Sequence, residues 1–113
     1  MKTKLPKISN SILDSLYKLK IIISEHFGSR LKYFILYGSY ARGDYNKRSD
    51  IDLLVVLDDI QSEMEEIDIL ADLKTDILLN SSIYISTNPT SLKKFENSNF
   101  GFYQNIRKEG VII

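Results

Sequence analysis

Residues 38–52 read GSYARGDYNKRSDID, and the apolar run LLVVL follows at 53–57. A Gly-Ser turn, a polar loop and two aspartates one residue apart stand at the head of a strand. Side chains of an extended strand alternate faces. Asp50 and Asp52 therefore point the same way, and Ile51 turns to the other face. Two carboxylates that close repel each other, and each raises the other's pKa unless a cation lies between them. Hard divalent cations, Mg²⁺ above all, take oxygen ligands and bind through one or two carboxylates together with substrate phosphates. The pair is a metal platform of that kind.

The residues before the loop supply an anion site. Phe34, Ile35, Leu36 and Tyr37 read as a buried strand that ends at Gly38. Glycine lacks a Cβ, so the chain can turn sharply there and approach a ligand closely. Ser39 offers a hydroxyl and opens a short helix at Tyr40, where backbone N–H groups can collect phosphate oxygens. Arg42 adds a planar cation suited to phosphate. It could equally be structural, paired with Asp44 or with an acid of the helix after Asp58. A Gly-Ser dipeptide alone marks only a turn, and an Asp-x-Asp alone marks a solvated loop or a helix cap. The combination is informative because both halves lie at strand ends and the loop between them can fold back.

Two rival motifs fail. Gly38 and Gly43 have the spacing of a phosphate-binding P-loop, but Asp44 and Tyr45 stand where Lys and Ser/Thr are required. The segment from Asp44 to Asp50 lacks the glycine and the distal glutamate of a calcium loop.

A chain of 113 residues suffices for one domain, here expected to span 1–113, with a single core. Its 43% hydrophobic and 27% charged residues are ordinary for a soluble globular protein. A formal net charge of zero argues against a general nucleic-acid binder. The absence of cysteine removes disulfides and Cys-based zinc sites and is compatible with the cytoplasm. The start, MKTKLPKISN, lacks the apolar stretch of a signal peptide. No segment approaches the roughly 20 apolar residues of a membrane span.

Outward from the motif, residues 1–7 read as a flexible arm. Ile8, Ile12, Leu16, Leu19, Ile22, Ile23 and Phe27 recur at helical spacing, with Ser9 or Asn10 as cap and Gly28 as stop. His26 falls in the last turn and reads as a surface residue favoured by the helix dipole. Strands are expected at 31–37 and 51–57, both apolar on both faces and so covered by helices. Asp58-Asp59 opens the next helix, whose buried stripe is Ile60, Met64, Ile67, Leu70, Ala71 and Leu73 or Lys74. The acidic run from Asp58 to Asp68 reads as a solvated face plus dipole compensation. A third strand is expected within 76–86, and a turn at Asn88-Pro89-Thr90, because proline cannot sit inside a sheet ladder. Short helices follow near 90–96 and 99–109, and the chain ends in an extended tail. Phe95, Phe100, Phe102 and Tyr103 read as core or partner contacts, with base stacking as the other use.

Gly38-Ser39, ten residues, then Asp50-Ile51-Asp52-Leu53 resembles the signature of the minimal nucleotidyltransferases, the small branch of the DNA polymerase beta-like superfamily. The likeness covers most of the chain from about residue 30 onward. It implies an α/β (α+β) nucleotidyltransferase fold: a small mixed sheet of three to four strands with helices mainly on one side. It also implies Mg²⁺-dependent transfer of a nucleoside monophosphate from a triphosphate such as ATP. Gly38 and Ser39 match the positions that hold the triphosphate; Asp50 and Asp52 match the catalytic metal ligands. Many members carry a third carboxylate on the next core strand. Asp76 is the only acid of DILLNSSIYIS and so the candidate for that role. Members of this size resemble the MntA-type antitoxins, which pair with a HEPN-domain RNase toxin and transfer AMP to one of its tyrosines. Two other readings stay open: an antitoxin that neutralises by binding alone, and a nucleotidyltransferase acting on a small molecule.

Overall fold

Two strands bracket the motif in the computed structural model, which describes residues 1–113. Strand β1 (Leu31–Tyr37) and strand β2 (Ile51–Leu57) pair antiparallel, with Tyr37 opposite Asp52. Strand β3 (Ile85–Ser91) lies parallel to β2, and the short β4 (Val111–Ile112) lies antiparallel to β1. The order β3-β2-β1-β4 makes one mixed sheet.

Alternation along β2 divides the core. Ile51, Leu53, Val55 and Leu57 face a layer that includes Leu16, Leu19, Ile23 and Phe27 of helix α1 (Asn10–Phe27). Leu70 of helix α3 (Glu63–Leu79) joins the same layer. Leu54 and Val56 face Phe95 of helix α4 (Leu92–Asn97) and Ile106 of helix α5 (Gly101–Glu109). The two long helices thus cover one face and the two short ones the other. Burial of Leu53 to Leu57 on both faces explains the unbroken apolar run. Residues 1–7, expected as an arm, carry one bridge: Lys2 N–H donates to Gly110 O and Ile112 N–H donates to Lys2 O, both at 2.9 Å.

Four expectations are corrected. The segment from Asp76 to Leu79 is helix, not strand. Ser62, not Asp58 or Asp59, caps α3, accepting from the Glu65 N–H at 3.3 Å. The acids Glu63, Glu65 and Glu66 fill its first turn, where the dipole favours them. Its stripe is correspondingly rotated: Met64 and Ile67 are exposed, whereas Leu70 is buried and Ile69, Leu73 and Ile77 pack on the core. Asn88-Pro89-Thr90 is strand, not turn. Strand β3 is an edge of the sheet, where a missing N–H costs no ladder bond. Lys74 of α3 reaches this strand and donates to Ile85 O at 3.0 Å and Thr87 Oγ1 at 3.1 Å.

The acidic run after β2 also does more than face solvent. Arg30, just before β1, donates to Asp59 O at 2.9 Å and lies 3.4 Å from Glu66 Oε1 and 3.5 Å from Asp58 Oδ1. Glu66 is buried. This knot ties the end of β2 to α3, at the opposite end of the sheet from Asp52.

Gly110 joins α5 to β4 in a space that admits no side chain. A Cβ there would stand 2.6 Å from Ile106 O and 2.7 Å from Ile35 Cγ2. Gly110→Ala is expected to destabilise the fold by about 1–3 kcal/mol, the range for overpacking a tight site. Denaturant unfolding measures it, and an unchanged midpoint would mean that β4 docks more loosely than this geometry requires.

Candidate active site

The carboxylate pair is positioned by the β1–β2 ladder. Asp52 shares the face of Leu54 and Val56, opposite to Ile51, as strand alternation demands. Tyr37 is its antiparallel neighbour and Ser86 its parallel one. Gly38 leaves β1 at φ 76°, in the region that favours glycine. A Cβ at Gly38 would overlap Asp52 Oδ2 and lie 3.3 Å from Asp52 Cγ. The Asp52 carboxylate therefore rests directly against the Gly38 backbone, at the entry to helix α2 (Ser39–Arg42).

The electrostatics fit a cation. Burial raises the Asp52 pKa, the Asp50 carboxylate raises it further, and Arg42 partly offsets both. Positive charge beside Asp52 would oppose that rise and favour its ionised form. No group of three or more His, Cys, Asp or Glu side chains is arranged to hold a metal ion by itself. A metal ion at Asp50 and Asp52 would complete its shell with substrate phosphates and water, the usual habit of Mg²⁺.

Arg42 pairs with Asp44, one of the partners considered for it, and with Glu109 of α5 rather than an acid of the helix after Asp58. Its Nε donates to Asp44 Oδ2 at 3.2 Å, and its Nη1 lies 3.8 Å from Glu109 Oε2. It also lines a hollow of about 250 Å³ with Tyr37, Gly38, Phe102, Asn105, Ile106 and Glu109. A second hollow of about 500 Å³ is lined by Tyr40, Lys47, Arg48, Asp50, Ser82, Ile83 and Tyr84, among others. The motif thus lies between two depressions.

The loop between the halves is held by its own residues. Tyr45 stacks on Tyr40 with ring centroids 4.1 Å apart, and its hydroxyl donates to Lys7 O at 2.9 Å. Asn46 Oδ1 accepts from the Arg48 N–H at 2.8 Å, and Ser49 Oγ accepts from the Asn46 N–H at 2.9 Å. These local bonds form the turn that returns the chain to Asp50.

Asp76 does not join the pair. It lies in α3 and lines a separate depression with Ser15, Lys18, Ile77, Asn80 and Ser81. The β3 position beside Asp52 holds Ser86, and Asn88 follows on the same face. Asp76→Asn is therefore expected to leave nucleotide transfer within about twofold of wild type, since surface changes away from a site rarely matter. A steep loss of rate without a loss of melting temperature would restore Asp76 to the site.

Asn88 and the Tyr37 side chain escaped the sequence reading as parts of this face. Asn88 Nδ2 donates to Tyr37 Oη at 2.7 Å, so the Tyr37 ring crosses the site face from β1 toward β3. Burial raises the Tyr37 pKa, the Asn88 bond opposes the rise, and the Asp52 charge adds to it. Phe102 meets Tyr37 edge-on at 5.6 Å and remains half-exposed in the first hollow. Of the other aromatics considered for base contact, Phe95 is core, Tyr103 Oη lies 3.0 Å from Thr90 Oγ1, and Phe100 is exposed. The only available signal was the pairing of Tyr37 with Gly38 at a strand end; its partner Asn88 is 51 residues away.

A family profile described as polymerase beta, nucleotidyltransferase, matches residues 17–113. A Methanocaldococcus jannaschii protein, MJ0604, to which protein adenylyltransferase activity is ascribed, is 36% identical over 92 residues, covering 80% of this chain and 86% of its own. Two solved structures share the fold. One, a toxin–antitoxin with AMP-PNP, aligns at TM-score 0.51 and 20% identity over 92% of this chain and 72% of its own. The other, a variant of the toxin–antitoxin MntA–HpeT, aligns at TM-score 0.55 and 15% identity over 95% and 72%.

Proposed function

Since the chain belongs to the polymerase beta nucleotidyltransferase family, we propose that it transfers AMP from ATP to a protein hydroxyl, a tyrosine of a partner HEPN-type RNase toxin, and so acts as that toxin's antitoxin. The observation that carries this reading is the Asp52 carboxylate seated on Gly38, with Asp50 beside it and Ser39 next in the chain. The activity ascribed to the M. jannaschii relative supports a protein acceptor. The toxin–antitoxin neighbours support the kind of partner.

In this reading Gly38, Ser39 and the backbone of α2 hold the triphosphate tail, and Arg42 turns from Asp44 and Glu109 toward it. Asp50 and Asp52 are the residues that would hold Mg²⁺, which when bound would supply charge neutralisation at the phosphates and a more acidic acceptor hydroxyl. Positioning and charge stabilisation supply most of the acceleration, as in phosphoryl transfer generally. The acceptor would enter through the hollow that Asp50 lines. Its proton leaves to solvent or to a group that the partner brings, because Ser86 and not a carboxylate stands beside Asp52.

The experiment is incubation with the partner toxin, ATP and Mg²⁺, read by intact mass and fragmentation. AMP-sized additions on a partner tyrosine are expected. Binding and silencing of the partner without any mass change would favour the second reading, an antitoxin that works by masking alone. The specific observation behind that alternative is the lack of a third converging carboxylate.

A further inference from the structure

We propose that the chain also modifies itself, transferring AMP to the hydroxyl of its own Tyr84. This rests on the adenylyltransferase reading above and names a further acceptor for the same site.

Tyr84 lies just before β3, at the mouth of the site. The Ile51 N–H, between the two aspartates, donates to Tyr84 O at 2.9 Å. That bond fixes the Tyr84 backbone against the head of β2. Its side chain is 77% exposed and lines the hollow that also holds Asp50, Lys47 and Arg48. The two cations give that hollow positive charge of the kind that favours phosphate oxygens, and the aspartate belongs to the carboxylate pair.

The other six tyrosines are placed otherwise. Tyr40 is buried beneath Tyr45, and the Tyr45 hydroxyl is engaged with Lys7 O. Tyr37 is held by Asn88 and Tyr103 by Thr90. Tyr33 packs on Phe95. Tyr17 stands exposed on α1, a helix of the layer facing Ile51 rather than Asp52. Tyr84 alone combines an accessible phenol with a place in a hollow shared with an aspartate of the motif.

The step balances as an ordinary nucleotidyl transfer. The Tyr84 phenolic oxygen forms a bond to the α-phosphorus of ATP. The bond from that phosphorus to the oxygen bridging to the β-phosphate breaks, and pyrophosphate leaves with the electron pair. The phenolic proton passes to solvent.

The test is incubation of the full chain alone with ATP and Mg²⁺, read by intact mass and fragmentation. A gain of one AMP on Tyr84 is expected. Tyr84→Phe should show none and, because the side chain is exposed, should melt as wild type does. Asp50→Asn/Asp52→Asn should show none either. If wild type adenylylates the partner but not itself, or carries AMP on another residue, the self-acceptor assignment is overturned while the adenylyltransferase reading stands. If wild type adenylylates neither, both fall.

Discussion

Asp50→Asn/Asp52→Asn is expected to lower nucleotide transfer by about 10³-fold or more while leaving a protein that, at neutral pH, melts above wild type. On the proposed function, the loss follows from removing both carboxylates that would hold the metal at the reacting centre, where one preorganised electrostatic contact alone is worth on the order of 10²–10³ in rate. The gain in stability follows from the raised pKa of Asp52, caused first by burial and then by Asp50. A carboxyl whose pKa is raised on folding favours the folded state fully below its unfolded pKa. That contribution is lost as pH rises through the folded value. Asparagine mimics the neutral form at every pH. The difference in melting temperature between variant and wild type should therefore vanish in acid and open as pH rises. Mg²⁺ with ATP should reverse the order, because a ligand that binds only the folded wild type stabilises it alone. Melting curves across pH, with and without Mg·ATP, measure all of this. A variant less stable than wild type at neutral pH would mean that the pair has a structural partner.

The second large effect is at Gly38. Gly38→Ala places a methyl group where Asp52 Oδ2 lies, on a residue held at φ 76°. At φ 76° and ψ −155°, a region essentially confined to glycine, the backbone costs an alanine on the order of 1–3 kcal/mol. The overlap is relieved by rotating the Asp52 carboxylate, which is inexpensive for the fold and serious for the site. A displacement of about 1 Å at a reacting centre costs on the order of 10²-fold in rate. The expected result is a modest drop in melting temperature together with a loss of activity of about 10²-fold or more. Kinetics beside thermal unfolding separate the two. Wild-type activity in a folded variant would show that the contact between Gly38 and Asp52 is not part of the working geometry.

What the sequence disclosed tracks how completely each element is buried. Strands β1 and β2 and helix α1 were legible because their apolar residues follow one period without interruption. Helix α3 was misread at its end because Ile77-Leu78-Leu79 resembles a strand when the cap at Ser62 is not counted. Strand β3 reads as polar because an edge strand needs few apolar residues; only Ile85 and Thr90 are buried in it. That error carried Asp76 into the site and kept Asn88 out. The GS turn and the aspartates were legible because they are contiguous with their strands. The bond from Asn88 to Tyr37 and the contact of Phe102 with Tyr37 depend on which strand neighbours β2 and where α5 docks. No local pattern encodes either.

The central claim is that Gly38, Ser39, Asp50 and Asp52 form one site for a metal–nucleotide unit. Calorimetric titration of the protein with ATP, in the presence and absence of Mg²⁺, tests it most directly. The account predicts that Mg²⁺ tightens ATP binding by about tenfold or more, as expected when charge-assisted contacts are gained, and that Asp50→Asn/Asp52→Asn removes this dependence. Equal affinity with and without Mg²⁺, or a dependence that survives in the variant, would contradict it.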